Sequence, residues 1–102
     1  MGENEGMVTL DSLRHERKAA IDHLARKHGV RNIRVFGSVA RGDNQAASDV
    51  DFLVEFDKDR ALFDLIAFRL DLRELLGVEV DVVTPNSLRY IRDRVLAEAR
   101  AI

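Results

Sequence analysis

Cysteine is absent from the 102 residues of this chain, and the sequence contains a single proline. Without cysteine there can be no disulfide, no thiolate-ligated zinc and no cysteine nucleophile. Long apolar runs are also missing, since none reaches the roughly 20 residues that a helix needs to span a bilayer. The polar, acidic residues 2–6 are unlike a secretory signal peptide. We therefore expect a cytoplasmic protein with no membrane partner, in which residues 1–8 form a disordered extension.

An excess of basic residues is missing as well, because 16 lysines and arginines face 18 acids and the formal net charge is −2. Proteins that follow a nucleic-acid backbone usually carry a basic stripe, so we expect no direct nucleic-acid binding. The length predicts one domain, residues 9–102, and leaves no space for a separate acceptor-binding domain. A homo-oligomer is compatible with the sequence.

Apolar residues recur along the chain with the spacing of helices or strands. The predicted helices, one of them a short turn, cover 10–28, 38–41, 61–76 and a stretch from Pro85 onward. The predicted strands cover 31–36, 49–56 and 78–83. The order α-β-α-β-α-β-α predicts an α+β domain in which helices flank one sheet.

Two aspartates, Asp49 and Asp51, interrupt the apolar run of the second predicted strand. Alternate residues of a strand point to the same face, about 7 Å apart. Carboxylates this close repel one another, and a cation between them relieves the repulsion. Mg²⁺ prefers a few carboxylate oxygens together with phosphate and water. The pair indicates either a metal site or the polar, solvent-exposed end of a strand.

A third acid, Asp81, lies in the middle of the last predicted strand, where a solvated carboxylate is unexpected. If this strand neighbours the second one, Asp81 can join the first two acids as a metal ligand or a general base. The alternative is that Asp81 pairs with an arginine or caps a local turn.

Gly37 and Ser38 follow the first predicted strand. Glycine lets the backbone approach a ligand closely, and the free N–H groups and the serine hydroxyl can donate to phosphate. The alternative is an ordinary strand-to-helix turn with a serine cap. Arg41 either balances phosphate charge or pairs with one of the acids between residues 43 and 59.

Together these segments resemble the signature of the polymerase-beta nucleotidyltransferase superfamily. Residues 37–42 read Gly-Ser-Val-Ala-Arg-Gly, and five further residues lead to Ser48 and then to Asp-Val-Asp at 49–51. The stretch Val-Glu-Val-Asp-Val-Val-Thr at 78–84 is similar to the strand that carries the superfamily's third carboxylate, which corresponds to Asp81. Within the superfamily, residues 10–102 most resemble the minimal nucleotidyltransferases of the MntA type.

This resemblance implies a small mixed sheet with the polymerase-beta-like fold and a Mg²⁺-dependent transfer of a nucleotide from a nucleoside triphosphate. It implies two Mg²⁺ ions and contacts to the β- and γ-phosphates of the donor. The implied catalytic and metal-binding residues are Asp49, Asp51 and Asp81. The implied nucleotide-binding residues are Gly37, Ser38, Arg41 and Ser48.

The resemblance also implies a partner. Minimal members are typically paired with a HEPN-domain ribonuclease toxin and act as its antitoxin, by adenylylating a tyrosine of the toxin, by binding it, or both. We therefore expect ATP as the donor and a HEPN toxin as the acceptor. The alternatives are stoichiometric binding without essential catalysis, and transfer to a small molecule together with a second subunit.

Other conspicuous residues have ordinary interpretations. The three histidines, His15, His23 and His28, are expected to be exposed on the first helix. Phe63, Phe68 and the leucines around them are expected mainly in the core, with some of them at a partner surface. Tyr90 is expected to pack against the domain.

Overall fold

The computed structural model describes residues 7–58 and 62–102. The helices of these ranges are α1 Leu10–Arg14, α2 Lys18–His28, α3 Ser38–Arg41, α4 Leu62–Leu76 and α5 Arg92–Glu98. The strands are β1 Val30–Phe36, β2 Val50–Phe56, β3 Val80–Val83 and β4 Arg100–Ala101. No helix within the described ranges combines the length and the apolar character needed to cross a membrane.

The sheet has the order β3-β2-β1-β4. β1 runs antiparallel to β2 and to β4, whereas β2 and β3 are parallel and are connected through α4. The predicted small mixed sheet flanked by helices is therefore confirmed. This topology brings the first residues of β2 and β3 to the same edge of the sheet as the last residues of β1.

Both faces of β2 are buried, but by different parts of the chain. Val50, Phe52 and Val54 point into the main core, which α1, α2 and α4 close on one face of the sheet. Leu53 points to the opposite face and is also fully buried, against Leu88 and Val95. The C-terminal segment therefore covers the face on which Asp51 lies, since side chains alternate along a strand.

The first helix was predicted as one element over 10–28, and this is wrong in detail. It is divided into α1 and α2 at residues 15–17, which are all exposed. Leu13 and Ile21 lie on either side of the division, and both are completely buried. The polar segment between them makes no contribution to the core, so a turn there lets both helices direct their apolar side chains into it.

The final helix also differs from the prediction, because α5 begins at Arg92 and not at Pro85. Pro85–Ser87 form a short 3-10 turn, after which Leu88 adopts an extended backbone with φ −101 and ψ 97. Leu88 is only 9% exposed and packs on Leu53. The chain therefore leaves helical geometry at the residue whose side chain packs on Leu53.

Strand β4 was not predicted, since two residues carry no recognisable periodicity. Its position is fixed by pairing with β1, where Arg34 is opposite Ala101. The Nε atom of Arg14 also donates to the carbonyl of Ala101 at 3.0 Å. β4 thus connects strand β1, through backbone pairing, with helix α1, through the hydrogen bond from Arg14.

The ends of several elements lie one or two residues from their predicted positions. Val8, expected in the disordered extension, is 7% exposed in the core, and its carbonyl accepts a hydrogen bond from Asn44 at 2.7 Å. Residues 1–6, in the predicted extension, and 59–61, which include the first residue of the helix predicted over 61–76, lie outside the described residues. β2 and β3 begin at Val50 and Val80, later than expected.

Three of the ordinary interpretations need correction. His28 is buried, whereas His15 and His23 are exposed as predicted. Phe68 is fully buried in the core, but Phe63 is 82% exposed. Tyr90 is 97% exposed, so the prediction that it packs against the domain is wrong.

The buried His28 joins α2 to α4, because its Nε2 atom lies 2.7 Å from a carboxylate oxygen of Asp71. We expect Asp71→Ala to lower the free energy of unfolding by about 1–3 kcal/mol, since it leaves a buried ring nitrogen without its partner. Urea denaturation at pH 7 measures this effect. The matched control is Asp22→Ala, which breaks only the surface contact with Lys18 and is expected to cost less than about 1 kcal/mol.

The same contact makes a pH-dependent contribution. The hydrogen bond from His28 holds the pKa of Asp71 below its ordinary value of 3.8. The contribution is therefore present above the ordinary pKa and is lost as the pH falls through the lowered one. Equal losses for Asp71→Ala and Asp22→Ala would contradict this role for the His28–Asp71 pair.

Candidate active site

Three aspartates lie near one another at the edge of the sheet where β2 and β3 begin. Asp51 and Asp81 are cross-strand partners in the parallel pair, and neighbouring strands lie about 4.8 Å apart. Asp49 immediately precedes β2, two residues before Asp51. The condition under which Asp81 could join the other two acids, that the third strand neighbours the second, is therefore met.

The half-buried Asp51 is the electrostatic centre of this group. Burial, followed by the charges of Asp81, Asp49 and Glu98, raises the pKa of Asp51 from 3.8 to about 6. The guanidinium of Arg41 acts in the opposite direction but does not compensate. The ionised cluster is therefore under internal repulsion that a bound cation would relieve.

The chemistry of these donors fits Mg²⁺, which binds oxygen ligands and keeps several positions for water and phosphate. Within residues 7–58 and 62–102, no three acidic, histidine or cysteine side chains are already converged as metal ligands. Repulsion between like charges keeps carboxylates apart, and rotation about their side-chain bonds can bring them together. The residues therefore fit the ion in kind and lie on neighbouring strands, and coordination requires their carboxylates to draw closer.

Gly37 lies directly against Asp51, because the preceding residue, Phe36, is the antiparallel partner of Asp51. Its backbone has φ 73 and ψ −150, a region that is essentially restricted to glycine. A Cβ atom at this position would lie 2.5 Å from the Oδ2 atom of Asp51. Glycine is thus needed here both for the backbone conformation and for the space that the carboxylate occupies.

The donors of the predicted phosphate site contact acids in this structure. The N–H of Gly37 donates to the Oε1 atom of Glu98 at 2.7 Å, and Arg41 donates to the Oε2 atom at 3.1 Å. Arg41 also donates through Nε to Asp43 at 3.1 Å. The hydrogen bonds to Asp43 and then to Glu98 raise the pKa of Arg41, which stays charged.

Glu98 was not identified from the sequence. It belongs to α5, which is separated from Gly37 by 61 residues, and no local spacing distinguishes it from the other charged residues of that helix. The hydrogen bond from the Gly37 N–H, helped by Arg41, lowers the pKa of Glu98. Only the packing of α5 next to the end of β1 reveals this residue.

The two serines of the signature have local structural roles. The carbonyl of Ser38 accepts hydrogen bonds from the N–H groups of Gly42 and Asp43, at 2.9 and 3.1 Å, and closes α3. The hydroxyl of Ser48 accepts from the N–H of Gln45 at 2.8 Å, which closes the loop before Asp49. Contact of either serine with a nucleotide stays a prediction.

A cavity of about 300 Å³ lies beside Gly37, between the end of β1 and α5. Its charged lining consists of Arg41, Arg94 and Glu98. A larger cavity of about 720 Å³, lined in part by Leu70 and Arg73, contains none of the predicted site residues. We assign the candidate site to the smaller cavity and the adjoining aspartates, because charged donors and acceptors are concentrated there.

Comparison with known proteins gives a family match. The model of the nucleotidyltransferase domain family matches residues 17–102. A Methanocaldococcus jannaschii protein, provisionally named a protein adenylyltransferase, is 44% identical over 86 residues, covering 83% of this chain and 92% of the relative. The protein adenylyltransferase MntA of Thermococcus cleftensis is 40% identical over 83 residues, covering 81% and 84%.

Solved structures give the same result for the fold. A protein provisionally described as a minimal nucleotidyltransferase superposes with a TM-score of 0.80 at 42% identity, covering 94% of this chain and 98% of that one. A toxin–antitoxin structure with AMP-PNP gives a TM-score of 0.69 at 21% identity, covering 82% and 70%. At that identity the second likeness concerns the fold alone.

Proposed function

This chain belongs to the nucleotidyltransferase domain family and is a nucleotidyltransferase, and we propose that it transfers AMP from ATP to a tyrosine hydroxyl of a partner protein. The observation that carries the proposal is the edge at which Asp51 and Asp81 are paired beside Gly37. That edge offers acidic groups for cations next to N–H and guanidinium donors for phosphate.

The acidic half of the site would hold the catalytic metal. Asp49 and Asp51 would bind two Mg²⁺ ions, and Asp81 would bind one of them or accept the proton of the acceptor. Bound Mg²⁺ supplies neutralisation of the triphosphate and stabilisation of the attacking and leaving oxygens. The raised pKa of Asp51 supports this assignment, because burial, followed by the charges of the neighbouring carboxylates, disfavours the ionised group and a bound cation would offset both effects.

The donor half would bind the triphosphate. The Gly37 N–H, the Ser38 hydroxyl and the Arg41 guanidinium would donate to the β- and γ-phosphates, with Ser48 holding the loop beside them. The hydroxyl oxygen of the acceptor would then attack the α-phosphorus. A phosphodiester bond would form, the bond between the α-phosphorus and pyrophosphate would break, and Asp81 would take the hydroxyl proton.

A protein acceptor is supported by the names of the relatives and by an exposed apolar surface. We name this surface the α4 face, and it consists of Leu62, Phe63, Ile66 and Leu70, which are between 43% and 82% exposed. Apolar side chains at this spacing form one stripe along a helix and are typical of protein interfaces. We propose that a HEPN-type ribonuclease toxin binds there and that the chain acts as its antitoxin.

Stoichiometric neutralisation is the second candidate, because the α4 face would serve it equally well. The discriminating experiment is co-purification with the product of the neighbouring gene, followed by incubation with Mg²⁺-ATP and intact-mass analysis. We expect the partner to gain the mass of AMP on tyrosine, and not to do so when EDTA is present. Parallel reactions with GTP, CTP and UTP give the base preference.

The controls separate binding from transfer. Phe63→Ser should weaken co-purification, because it removes the most exposed side chain of the α4 face, while nucleotide binding is unchanged. A stable complex that never gains a nucleotide mass with any triphosphate would support the binding-only function and reject the enzymatic one.

A further inference from the structure

We propose that Glu98 is an internal anion that occupies the position of a nucleotide phosphate in the free protein and is displaced when ATP binds. This inference rests on the proposed function, because it takes the Gly37 N–H and Arg41 as contacts of the triphosphate. It adds a residue that lies outside the signature and that competes with the substrate.

The contacts of Glu98 are those expected of a phosphate. One carboxylate oxygen accepts from the Gly37 N–H at 2.7 Å, and the other accepts from Arg41 at 3.1 Å. Phosphate oxygens use the same kinds of donor with similar geometry. The single N–H of Gly37 cannot point fully at both anions, so binding of one weakens binding of the other.

The charge of Glu98 makes the competition stronger. The Gly37 N–H holds its pKa below the ordinary value of 4.5, so the carboxylate is ionised at neutral pH. Its charge also reaches Asp51, whose pKa it helps to raise. A triphosphate entering beside an undisplaced Glu98 would therefore meet two acids whose repulsion opposes binding.

Local structure permits the displacement. Glu98 is the last residue of α5, and at Ala99 the chain leaves the helix with φ −63 and ψ 140. The buried side chain of this short helix is Val95, one turn earlier. Arg94 lines the same cavity of about 300 Å³ and lies close enough to lower the pKa of Glu98. Rotation of the Glu98 side chain toward Arg94 would free both donors without unfolding α5.

The decisive measurement is calorimetric titration of the full chain with Mg²⁺-ATP. Glu98→Gln removes the charge but keeps an oxygen that can accept from Gly37, so the fold should be preserved. We expect its Kd to fall by about tenfold, because a neutral acceptor competes less well with phosphate. The matched control is Asp93→Asn, which removes a charge from the first turn of the same helix and should change the Kd by less than about twofold.

A second measurement follows the displacement itself. Backbone amide resonances of α5 and of Gly37 are recorded during titration with Mg²⁺-ATP. In the unmodified protein, we expect the resonances of residues 96–99 to move together with that of Gly37. In Glu98→Ala, the Gly37 resonance should respond at lower ATP concentration and the α5 resonances should respond much less.

The outcomes separate this inference from the function on which it rests. If the unmodified chain binds Mg²⁺-ATP but Glu98→Gln binds equally or more weakly, Glu98 does not compete with phosphate and the inference is overturned alone. The inference is also overturned if the backbone amide resonances of α5 in the unmodified protein do not move while Mg²⁺-ATP binds. If neither the unmodified chain nor either Glu98 variant binds, the proposed nucleotide site fails, and the inference fails with it.

Discussion

Replacement of Asp49 and Asp51 by asparagine is expected to reduce nucleotidyl transfer by about 10³-fold or more, because both proposed Mg²⁺ ligands lose their charge. Asparagine keeps the size of each side chain, so the sheet edge should remain intact. The rate is measured as AMP added to the partner at saturating Mg²⁺-ATP. Mg²⁺-ATP should raise the melting temperature of the unmodified chain but not that of the variant.

The same edge should become more stable when Asp51 alone is neutralised. Burial and the neighbouring carboxylates raise the pKa of Asp51 from 3.8 to about 6, which sets an upper limit of about 3 kcal/mol, before solvent screening, on the cost of the ionised carboxylate in the folded protein. Because the folded-state pKa is raised, the stability that protonation provides is complete below pH 3.8 and is lost as the pH rises through about 6.

Unfolding in urea with EDTA tests the sign of this effect. Asp51→Asn should exceed the unmodified chain in stability by about 1–3 kcal/mol at pH 8, after allowance for solvent screening, and by about half as much at pH 5, which lies between the two pKa values. Glu74→Gln, a change at an exposed acid of α4, should show no such difference between the two pH values. An Asp51→Asn variant that is less stable than the unmodified chain at pH 8 would refute this electrostatic account. Undiminished transfer by the Asp49→Asn, Asp51→Asn double variant would refute the proposed metal site.

Gly37→Ala is the second change for which a large effect is expected. We expect transfer to fall by about 10²-fold, because the added Cβ atom would lie 2.5 Å from the Asp51 Oδ2 atom and would turn that carboxylate away from the metal position. The backbone, with φ 73 and ψ −150, adds a cost of about 1–3 kcal/mol to folding. Both quantities are measured on the same preparation, by transfer kinetics and by urea denaturation.

Gly42→Ala provides the matched control. Gly42 also has a positive φ, of 79, but a Cβ atom there would meet nothing within 4 Å among the described residues. It should therefore cost about 1–2 kcal/mol of stability and leave transfer close to that of the unmodified chain. If the two alanine variants lose activity equally, the contact between Gly37 and Asp51 is not what glycine protects.

The sequence determined those parts of the protein that depend on neighbours along the chain. Alternation of apolar residues marked β2, and glycine marked the end of β1, because side-chain direction and backbone freedom are local properties. The signature around Gly37, Asp49 and Asp51 was readable for the same reason. The single helix predicted over α1 and α2 was wrong in detail, because Leu13 and Ile21 are both buried in one core and a turn separates the two helices that carry them.

Only the tertiary structure decided which of these groups meet. The register of β2 against β3 placed Asp81 opposite Asp51, and packing of α5 brought Glu98 to the Gly37 N–H. The helix predicted from Pro85 is interrupted at Leu88, which packs on Leu53, and pairing with β1 defines β4. These contacts join residues far apart in the chain, and their energies arise from burial and charge in the assembled fold. The sequence thus identified three aspartates and a glycine turn, and the fold added Glu98, whose carboxylate accepts hydrogen bonds from Gly37 and Arg41.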